Sequence, residues 1–297
     1  MFYTHELPFI YGIQSADTFA YQSIKILSSL GIDTLVFGSE SNDISYLKDI
    51  ANKQNDEDFK KLLNEEFMKG ISYSSAYKNV LGIDKEIYPN DLLGISYIKA
   101  INKINNKINP VCIKRTSDYH DLDSTSDIIS AENIRNKYDN NLKIDKYTNY
   151  SNYINKIDYD TYFKILKNKI NTLDNLDIYV DINEGVENRL KKYINNVDNI
   201  IDFIKLVKTK RYSYNKINRM LINILVGFKK IDNIDLLNIR ILGFNKNGKK
   251  YLNSIKYDNT YNKLVKDYEL KASMMYDLLT NNNTYNYELK NIPIIKD

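Results

Sequence analysis

The residues best suited to bind a ligand follow two short apolar runs. Gly38 comes directly after Thr34–Phe37, and Arg115 follows Pro110–Ile113 with one lysine between them. Each run has the length and composition of a buried strand, and ligands of parallel α/β sheets bind at the carboxyl ends of the strands. A glycine there lets a ligand approach the backbone, and an arginine donates paired hydrogen bonds to phosphate.

Two predicted helix starts add further polar groups. Asn90 stands at the head of an apolar helical pattern, and Ser130 with Ala131 opens a second helix, in which Arg135 lies one turn further on. The free backbone amides of a helix N-terminus favour anions. Each residue taken alone also fits a plainer interpretation as a turn glycine, a helix cap or a solvated arginine. Together they indicate a nucleotide site at the carboxyl edge of an α/β sheet, without a P-loop or a GxGxxG motif.

Other chemistry is restricted by composition. His120 lies between acidic residues, where it fits either a general acid–base role or a structural loop. Cys112 is the one cysteine and there are two histidines, so we expect neither a disulfide framework nor a metal site. No apolar run approaches the length of a membrane span and no secretory signal is visible. We therefore expect a cytoplasmic protein.

The elements that must position these residues change character along the chain. Apolar periodicity predicts alternating helices and strands in the first half, with a helix after Ser15 and one long helical stretch over residues 44–69. Helical patterns dominate from about residue 150, and a turn is predicted around Gly243 and Gly248. The sequence therefore predicts a parallel α/β domain over residues 1–146, followed by a mainly helical domain over residues 147–297.

Positive charge is concentrated in the second half. Residues 1–150 carry a net charge of −4 and residues 151–297 a net charge of +8, and residues 201–230 alone hold eight basic residues and one acidic residue. Such asymmetry indicates that one half contacts a polyanion, although a solvated basic helix gives the same pattern. The candidate contacts are Lys205, Lys208, Lys210, Arg211, Tyr212 and Arg219. Tyrosine between the cations favours RNA, because its ring stacks on unpaired bases.

Several ordered segments resemble the bacterial tRNA(Met) cytidine acetate ligases, which are similar to the HxGH nucleotidyltransferases. The resemblance runs from about Glu6 to about Tyr276. The matching segments are Glu6–Phe9, Gln14–Ala20, Phe37–Glu40, Pro89–Gly94, Lys114–Arg115 with Asp118–Asp121, Ile129–Ala131 with Ile134–Arg135, Glu184–Arg189, Lys208–Tyr212, Arg240–Gly243 and Lys271–Ser273.

The resemblance implies a specific reaction. ATP, with Mg²⁺, and acetate give an acetyl-adenylate, and the acetyl group then passes to the wobble cytidine of elongator methionine tRNA. By motif match, Gly38, Asn90 and Arg115 contact the nucleotide, and Ser130, Ala131 and Arg135 form the phosphate-side loop and helix start. The first half would be a partial nucleotidyltransferase-like, ATP-binding domain with a Rossmann-like sheet, and the basic second half would hold the tRNA.

One departure concerns the family's NPxHxGH motif, which precedes the Glu-Leu-Pro-Phe segment in the family. His5 does not match it, because no second histidine or glycine follows at the required spacing. We therefore expect a chain that is incomplete at its N-terminus, has no catalytic residue of that motif and is inactive alone. The alternatives are a catalytically dead tRNA-binding protein of the same fold and a small-molecule adenylyltransferase. The basic second half argues against the latter.

Overall fold

The fold is described from a computed structural model. It covers residues 3–54, 56–69, 71, 73–82, 87–105, 107–116, 127–149, 151, 155–209, 211–255, 262–290 and 292–296. Within these residues the strands are β1 (Tyr3–His5), β2 (Thr34–Ser39), β3 (Asn109–Lys114), β4 (Ile241–Asn245) and β5 (Ile294–Lys296).

The helices of the described residues divide into three sequence groups. The first group is α1 (Phe9–Gly12), α2 (Ala16–Ser29), α3 (Ile44–Lys53), α4 (Glu57–Met68), α5 (Tyr73–Leu81), α6 (Pro89–Ile104) and α7 (Ala131–Asp139). The second group is α8 (Tyr159–Thr172), α9 (Val186–Tyr193), α10 (Ile200–Val207) and α11 (Tyr214–Val226). The third group is α12 (Lys246–Ser254), α13 (Lys263–Thr280) and α14 (Thr284–Lys290).

β2 and β3 are the two apolar runs that the sequence predicts as strands, and they pair in parallel. The register sets Phe37 opposite Cys112 and Gly38 opposite Ile113. Phe37 is buried in a core that α3 and α6 share, whereas Val36 and Ile113 remain more than half exposed. The prediction of a parallel α/β arrangement followed by helices is therefore confirmed.

Helix starts follow local capping chemistry. Ser15 caps α2 as predicted, since its side chain accepts a hydrogen bond from the backbone N–H of Thr18. The single long helix predicted over residues 44–69 is wrong, because α3 and α4 are separate helices. Asp56 caps α4 and accepts from the N–H of Asp58 at 3.0 Å, so a strong N-terminal signal starts a new helix there.

The predicted helices of the second half form one apolar core. α8, α9, α10 and α11 contribute buried residues to this core, among them Phe163, Leu190, Phe203 and Leu221. Each of these side chains is at most 3% exposed. Amphipathic periodicity identified these helices correctly because each presents one apolar stripe to the shared core.

A strand from the second half of the chain pairs with the first strand. β4 pairs antiparallel with β1 and parallel with β5. Gly243 therefore lies in a strand and Gly248 in α12, so the turn predicted around them is wrong. Glycine suits β4 because a Cβ at position 243 would stand 2.9 Å from the backbone oxygen of Ile294 in β5. Close strand approach, and not a turn, explains this glycine.

A buried ionic cluster joins the two ends of the described chain. The guanidinium of Arg240, which is 7% exposed, donates to Glu6 at 3.1 Å and also to Glu288 in α14. Glu269 in α13 lies beside them and accepts a hydrogen bond from the backbone N–H of Phe9. Burial, with the nearby charges of Glu6 and Glu288, raises the pKa of Glu269 to about 8.

The tight contact between β2 and α6 leads to a first prediction. A Cβ at Gly94 would lie 2.5 Å from the Phe37 ring. We expect Gly94→Ala to lower the free energy of unfolding by about 1–3 kcal/mol through overpacking, although alanine favours helix. Gly12→Ala is the matched control, because nothing stands within 4 Å of its added Cβ. Urea unfolding of both variants measures the difference, and equal stability would contradict the packing argument.

The ionic cluster leads to a second prediction, on pH. Because the pKa of Glu269 is raised in the folded state, its proton-linked stabilisation is complete below about pH 4.5 and is lost as the pH rises towards 8. Glu269→Gln keeps an acceptor for the N–H of Phe9 and removes this titration. We expect the melting temperature of the variant to fall less between pH 5 and pH 8.5 than that of the wild type. Glu65→Gln, at an exposed position, is the control, and parallel pH profiles for all three proteins would refute the assignment.

Candidate functional site

The carboxyl ends of β2 and β3 lie side by side, as the sequence predicts. Ser39 pairs with Lys114 at the end of both strands, and the N–H of Arg115 donates to the backbone oxygen of Ser39 at 3.0 Å. The chain therefore turns away from both strands at one edge. This is the edge at which parallel α/β sheets bind ligands.

Three of the predicted nucleotide contacts meet at this edge. The side chain of Arg115 lies across Gly38, where a Cβ would stand 3.3 Å from its Cγ. Arg115 Nη1 donates to Asn90 Oδ1 at 3.4 Å. Arg115 Nε is buried without a hydrogen-bond partner among the described residues. Among the described residues the guanidinium is thus held by one weak hydrogen bond, which leaves other N–H groups for an anion.

Glu40 is a positioning residue that the sequence reasoning missed. Its carboxylate accepts from the backbone N–H of Asp91 at 3.1 Å and from the backbone and side-chain nitrogens of Asn90. A carboxylate at the N-terminus of α6 compensates the helix dipole. It also orients the Asn90 amide so that its oxygen faces Arg115. Two features of the sequence point to Glu40: its acidic side chain directly after Gly38 and Ser39, and its place in the family-matching segment Phe37–Glu40.

Asp91 organises the loop after β2. Its carboxylate is 1% exposed and accepts hydrogen bonds from the Ser39 hydroxyl and from the N–H of Ser41 at 3.1 Å. The Ser39 hydroxyl in turn accepts from the N–H of Asn42 at 2.9 Å. Buried carboxylates need such partners. Asp91 therefore fixes the loop and is not available to a ligand.

The second group of predicted phosphate contacts lies on α7. Ser130 caps this helix, since its side chain accepts from the N–H of Asn133 at 3.1 Å. Ala131 and Arg135 are exposed. The described contacts of Ser130 are local to α7, so its meeting with Gly38, Asn90 and Arg115 stays a prediction. His120 lies outside the described residues.

The predicted tRNA contacts surround the junction of α10 and α11. Lys205 and Lys208 are exposed at the C-terminal end of α10, and Arg211 is exposed in the following loop. Arg211 pairs with Glu184 at 3.1 Å, and Arg219 of α11 pairs with Asp181 at 3.0 Å. Lys210 lies outside the described residues. We call Lys205, Lys208 and Arg211 the basic surface.

Tyr212 does not fit its expected stacking role. Its ring is 5% exposed, its hydroxyl donates to the backbone oxygen of Asn183 at 3.2 Å, and Lys216 lies 5.1 Å from its centroid. A buried ring presents no face to a base. Tyr212 instead anchors the loop that carries Arg211, and the interaction with residue 183 is a long-range contact that local spacing does not reveal.

Among the residues that the structure describes, no group of three or more histidine, cysteine, aspartate or glutamate side chains is placed to hold a metal ion. None of the helices formed by these residues has both the length and the apolar character needed to cross a membrane.

Comparison with known proteins assigns the chain to a class. The model of the HIGH Nucleotidyl Transferase family matches residues 4–292. The fold is similar to that of a TmcAL from Thermotoga maritima, with a TM-score of 0.82 and 23% identity over 99% of this chain and 84% of that one. The same protein bound with alpha-thio ATP gives a TM-score of 0.78. The chain belongs to the HIGH nucleotidyltransferase family.

Similar sequences define the branch of that family. The chain is 38% identical to the tRNA(Met) cytidine acetate ligase of Caldicellulosiruptor saccharolyticus, over 92% of this chain and 74% of that protein. It is 32% identical to the protein of that name from Staphylococcus haemolyticus, over 98% of this chain and 81% of the relative. The chain's place is among the tRNA(Met) cytidine acetate ligases, and the resemblance seen in its motifs is confirmed.

Proposed function

We propose that the chain supplies the ATP-binding and tRNA-binding parts of an enzyme that ligates acetate to a cytidine of methionine tRNA at the expense of ATP, and that it does not turn over alone. The observation that carries the proposal is the meeting of Gly38, Asn90 and Arg115 at one sheet edge in a chain of this family. The basic surface on α10 and the following loop supports a polyanionic second substrate. Because tRNA is found in the cytoplasm, we place the reaction there.

The proposed reaction has two balanced steps. A carboxylate oxygen of acetate attacks the α-phosphorus of ATP, which forms acetyl-adenylate and releases pyrophosphate. The exocyclic amine of the wobble cytidine then attacks the acetyl carbonyl, which releases AMP and a proton. Both steps develop negative charge on oxygen atoms, and positive groups aimed at those oxygens stabilise it.

Each residue at the edge has a proposed role. The guanidinium of Arg115 binds a phosphate of ATP, because its hydrogen bonding to the described residues is limited to one contact from Nη1 to Asn90 and leaves other N–H groups for an anion. Gly38 permits a close approach of the nucleotide, and the Asn90 amide positions Arg115. Ser130, Ala131 and Arg135 supply the phosphate side from α7.

In the proposed reaction Mg²⁺ is bound by the phosphates of ATP and is not held at a separate site on the protein. The carboxylates of Glu40 and Asp91 already accept hydrogen bonds from protein donors. The residues at this edge therefore fit a nucleotide phosphate better than an isolated cation.

Substitution at the sheet edge tests the nucleotide role. Arg115→Gln removes the guanidinium, and we expect it to weaken ATP binding at least roughly tenfold, since charge-assisted paired hydrogen bonds are lost. Lys107→Gln is the matched control. Lys107 is exposed just before the start of β3, whereas Arg115 follows the end of that strand. Calorimetric titration of the wild type and both variants, with ATP up to millimolar concentration, gives the affinities. An equal effect of the two substitutions would remove Arg115 from the nucleotide site.

Neutralising the basic surface tests the tRNA role. We expect the triple variant Lys205→Gln, Lys208→Gln, Arg211→Gln to bind methionine tRNA at least roughly tenfold more weakly. The slope of log affinity against log salt should fall by about 2–3. Filter-binding titrations at several salt concentrations measure both quantities.

A second triple variant controls for total charge. Lys246, Lys249 and Lys250 are exposed on α12, and changing all three to glutamine removes the same charge elsewhere. We expect little change in tRNA affinity. If both triple variants lose affinity equally, only net charge matters and the basic surface is not a dedicated contact.

A further inference from the structure

A polar cleft of about 750 Å³ lies between α2, α6 and the segment Asn233–Asp235. Its volume is typical of sites for nucleotide-sized ligands. The cleft brings a loop from the second half of the chain against two helices from the first. None of the residues assigned above to the nucleotide site or to the basic surface lines it.

The two carboxylates of the cleft are already satisfied. Asp17 accepts from Ser96 at 2.7 Å and from Lys99 at 3.1 Å. Asp235 accepts from Gln22 at 2.7 Å and from Lys25 at 2.8 Å. With their oxygens engaged by protein donors, these groups do not select a cation.

The lining of the cleft also includes an aromatic ring and an ammonium group. Tyr21 is half-buried in the wall, and Lys103 Nζ lies 4.9 Å from its ring centroid without a described carboxylate partner. Asn102 already donates to Asn52 at 3.1 Å and Thr18 hydrogen-bonds Ser15 at 3.3 Å, so recognition depends on the ring and the ammonium group. An aromatic ring and a positive charge together are the usual means of binding an unpaired base and its phosphate.

A buried group also points to a ligand. Gln22 is 3% exposed, and its Oε1 has no hydrogen-bond partner among the described residues. An unsatisfied buried acceptor is costly. An amino or hydroxyl donor bound in the cleft would satisfy this oxygen after the amide turned, which would shift the hydrogen bond from its Nε2 to Asp235.

The charge of the cleft limits the kind of nucleotide. Lys99, Lys103 and the adjacent Lys25 oppose Asp17 and Asp235, so the local net charge is one positive unit. One phosphodiester group balances that charge, whereas the triphosphate of ATP would exceed it. The cleft therefore suits a nucleotide within an RNA strand better than a free nucleoside triphosphate.

The position of the cleft relates it to the sheet edge. Asn90 lies in the first turn of α6, and Ser96 and Lys103 follow on the same helix at about 9 Å and about 20 Å along its axis. An unpaired RNA loop that reached the sheet edge would have its neighbouring nucleotides beside the cleft. We propose that the cleft binds an unpaired nucleotide of the tRNA loop next to the cytidine, an inference that rests on the proposed function.

Substitution of the ring tests the proposal. The probes are an RNA hairpin with the anticodon stem and loop of methionine tRNA, and a duplex of the same stem without the loop. We expect Tyr21→Leu in the full chain to weaken hairpin binding at least about fivefold, because base stacking is lost, and to leave duplex binding unchanged. Tyr21→Phe keeps the ring and loses only the hydroxyl bond to Asp235, so it should bind the hairpin like the wild type.

A charge variant gives an independent readout. Lys103→Gln should lower the salt slope of hairpin binding by about 0.7–0.9, and Lys53→Gln, at an exposed position on α3, should not change it. If both Tyr21→Leu and Lys103→Gln bind the hairpin normally, the proposed role of the cleft is refuted and the proposed function of the chain still stands. Binding of neither RNA by the wild type would overturn the proposed function and, with it, this inference. Equal losses for Tyr21→Leu and Tyr21→Phe would assign the effect to the fold and reject stacking.

Discussion

The arrangement of this chain depends on one buried guanidinium. Arg240 sits just before β4 and reaches Glu6 near the start of the chain and Glu288 near its end. A guanidinium with so little exposure is tolerable only with charged partners, and each carboxylate depends equally on it. Three segments that are far apart in sequence are therefore held at one point, and the pairing of β1 with β4 follows directly beside it.

The ionic cluster around Arg240 also fixes the position of the first helices. Glu6 precedes α1, and the N–H of Phe9 donates to Glu269, so α13 fixes the beginning of α1. Tyr11, buried in the same region, donates to the backbone oxygen of Leu236 at 3.1 Å. The division at residues 146 and 147 stays a prediction. These contacts nevertheless join residues from both sides of it, and they create the cleft beside α2, because the segment from Asn233 to Asp235 is held there.

Sequence patterns predicted the local features well and the long-range ones poorly. The strands over residues 34–37 and 110–113, and the cap at Ser15, follow from periodicity and capping within a few residues. The meeting of Gly38, Asn90 and Arg115 also followed, because parallel strands end at one edge. Glu40 and Asp91 were missed, since their partners lie some fifty residues away in the chain. Tyr212 was misjudged for the same reason, because burial of its ring depends on a distant segment.

The residues in the segments that match the family therefore do not all have the same role. Glu6 and Arg240 belong to two matching segments that are far apart in the sequence, and in the structure they form an ion pair with each other. The cost of leaving either charge buried and unpaired is enough to require both residues, without any contact to a substrate. Lys208 is exposed, and Arg211 pairs with Glu184 only at the exposed surface, where such pairs contribute little to stability, so no comparable structural cost would follow from their loss. The exposure of a side chain and the bonds it makes, more than its place in a motif, distinguish the residues that stabilise this fold from those that can contact its substrates.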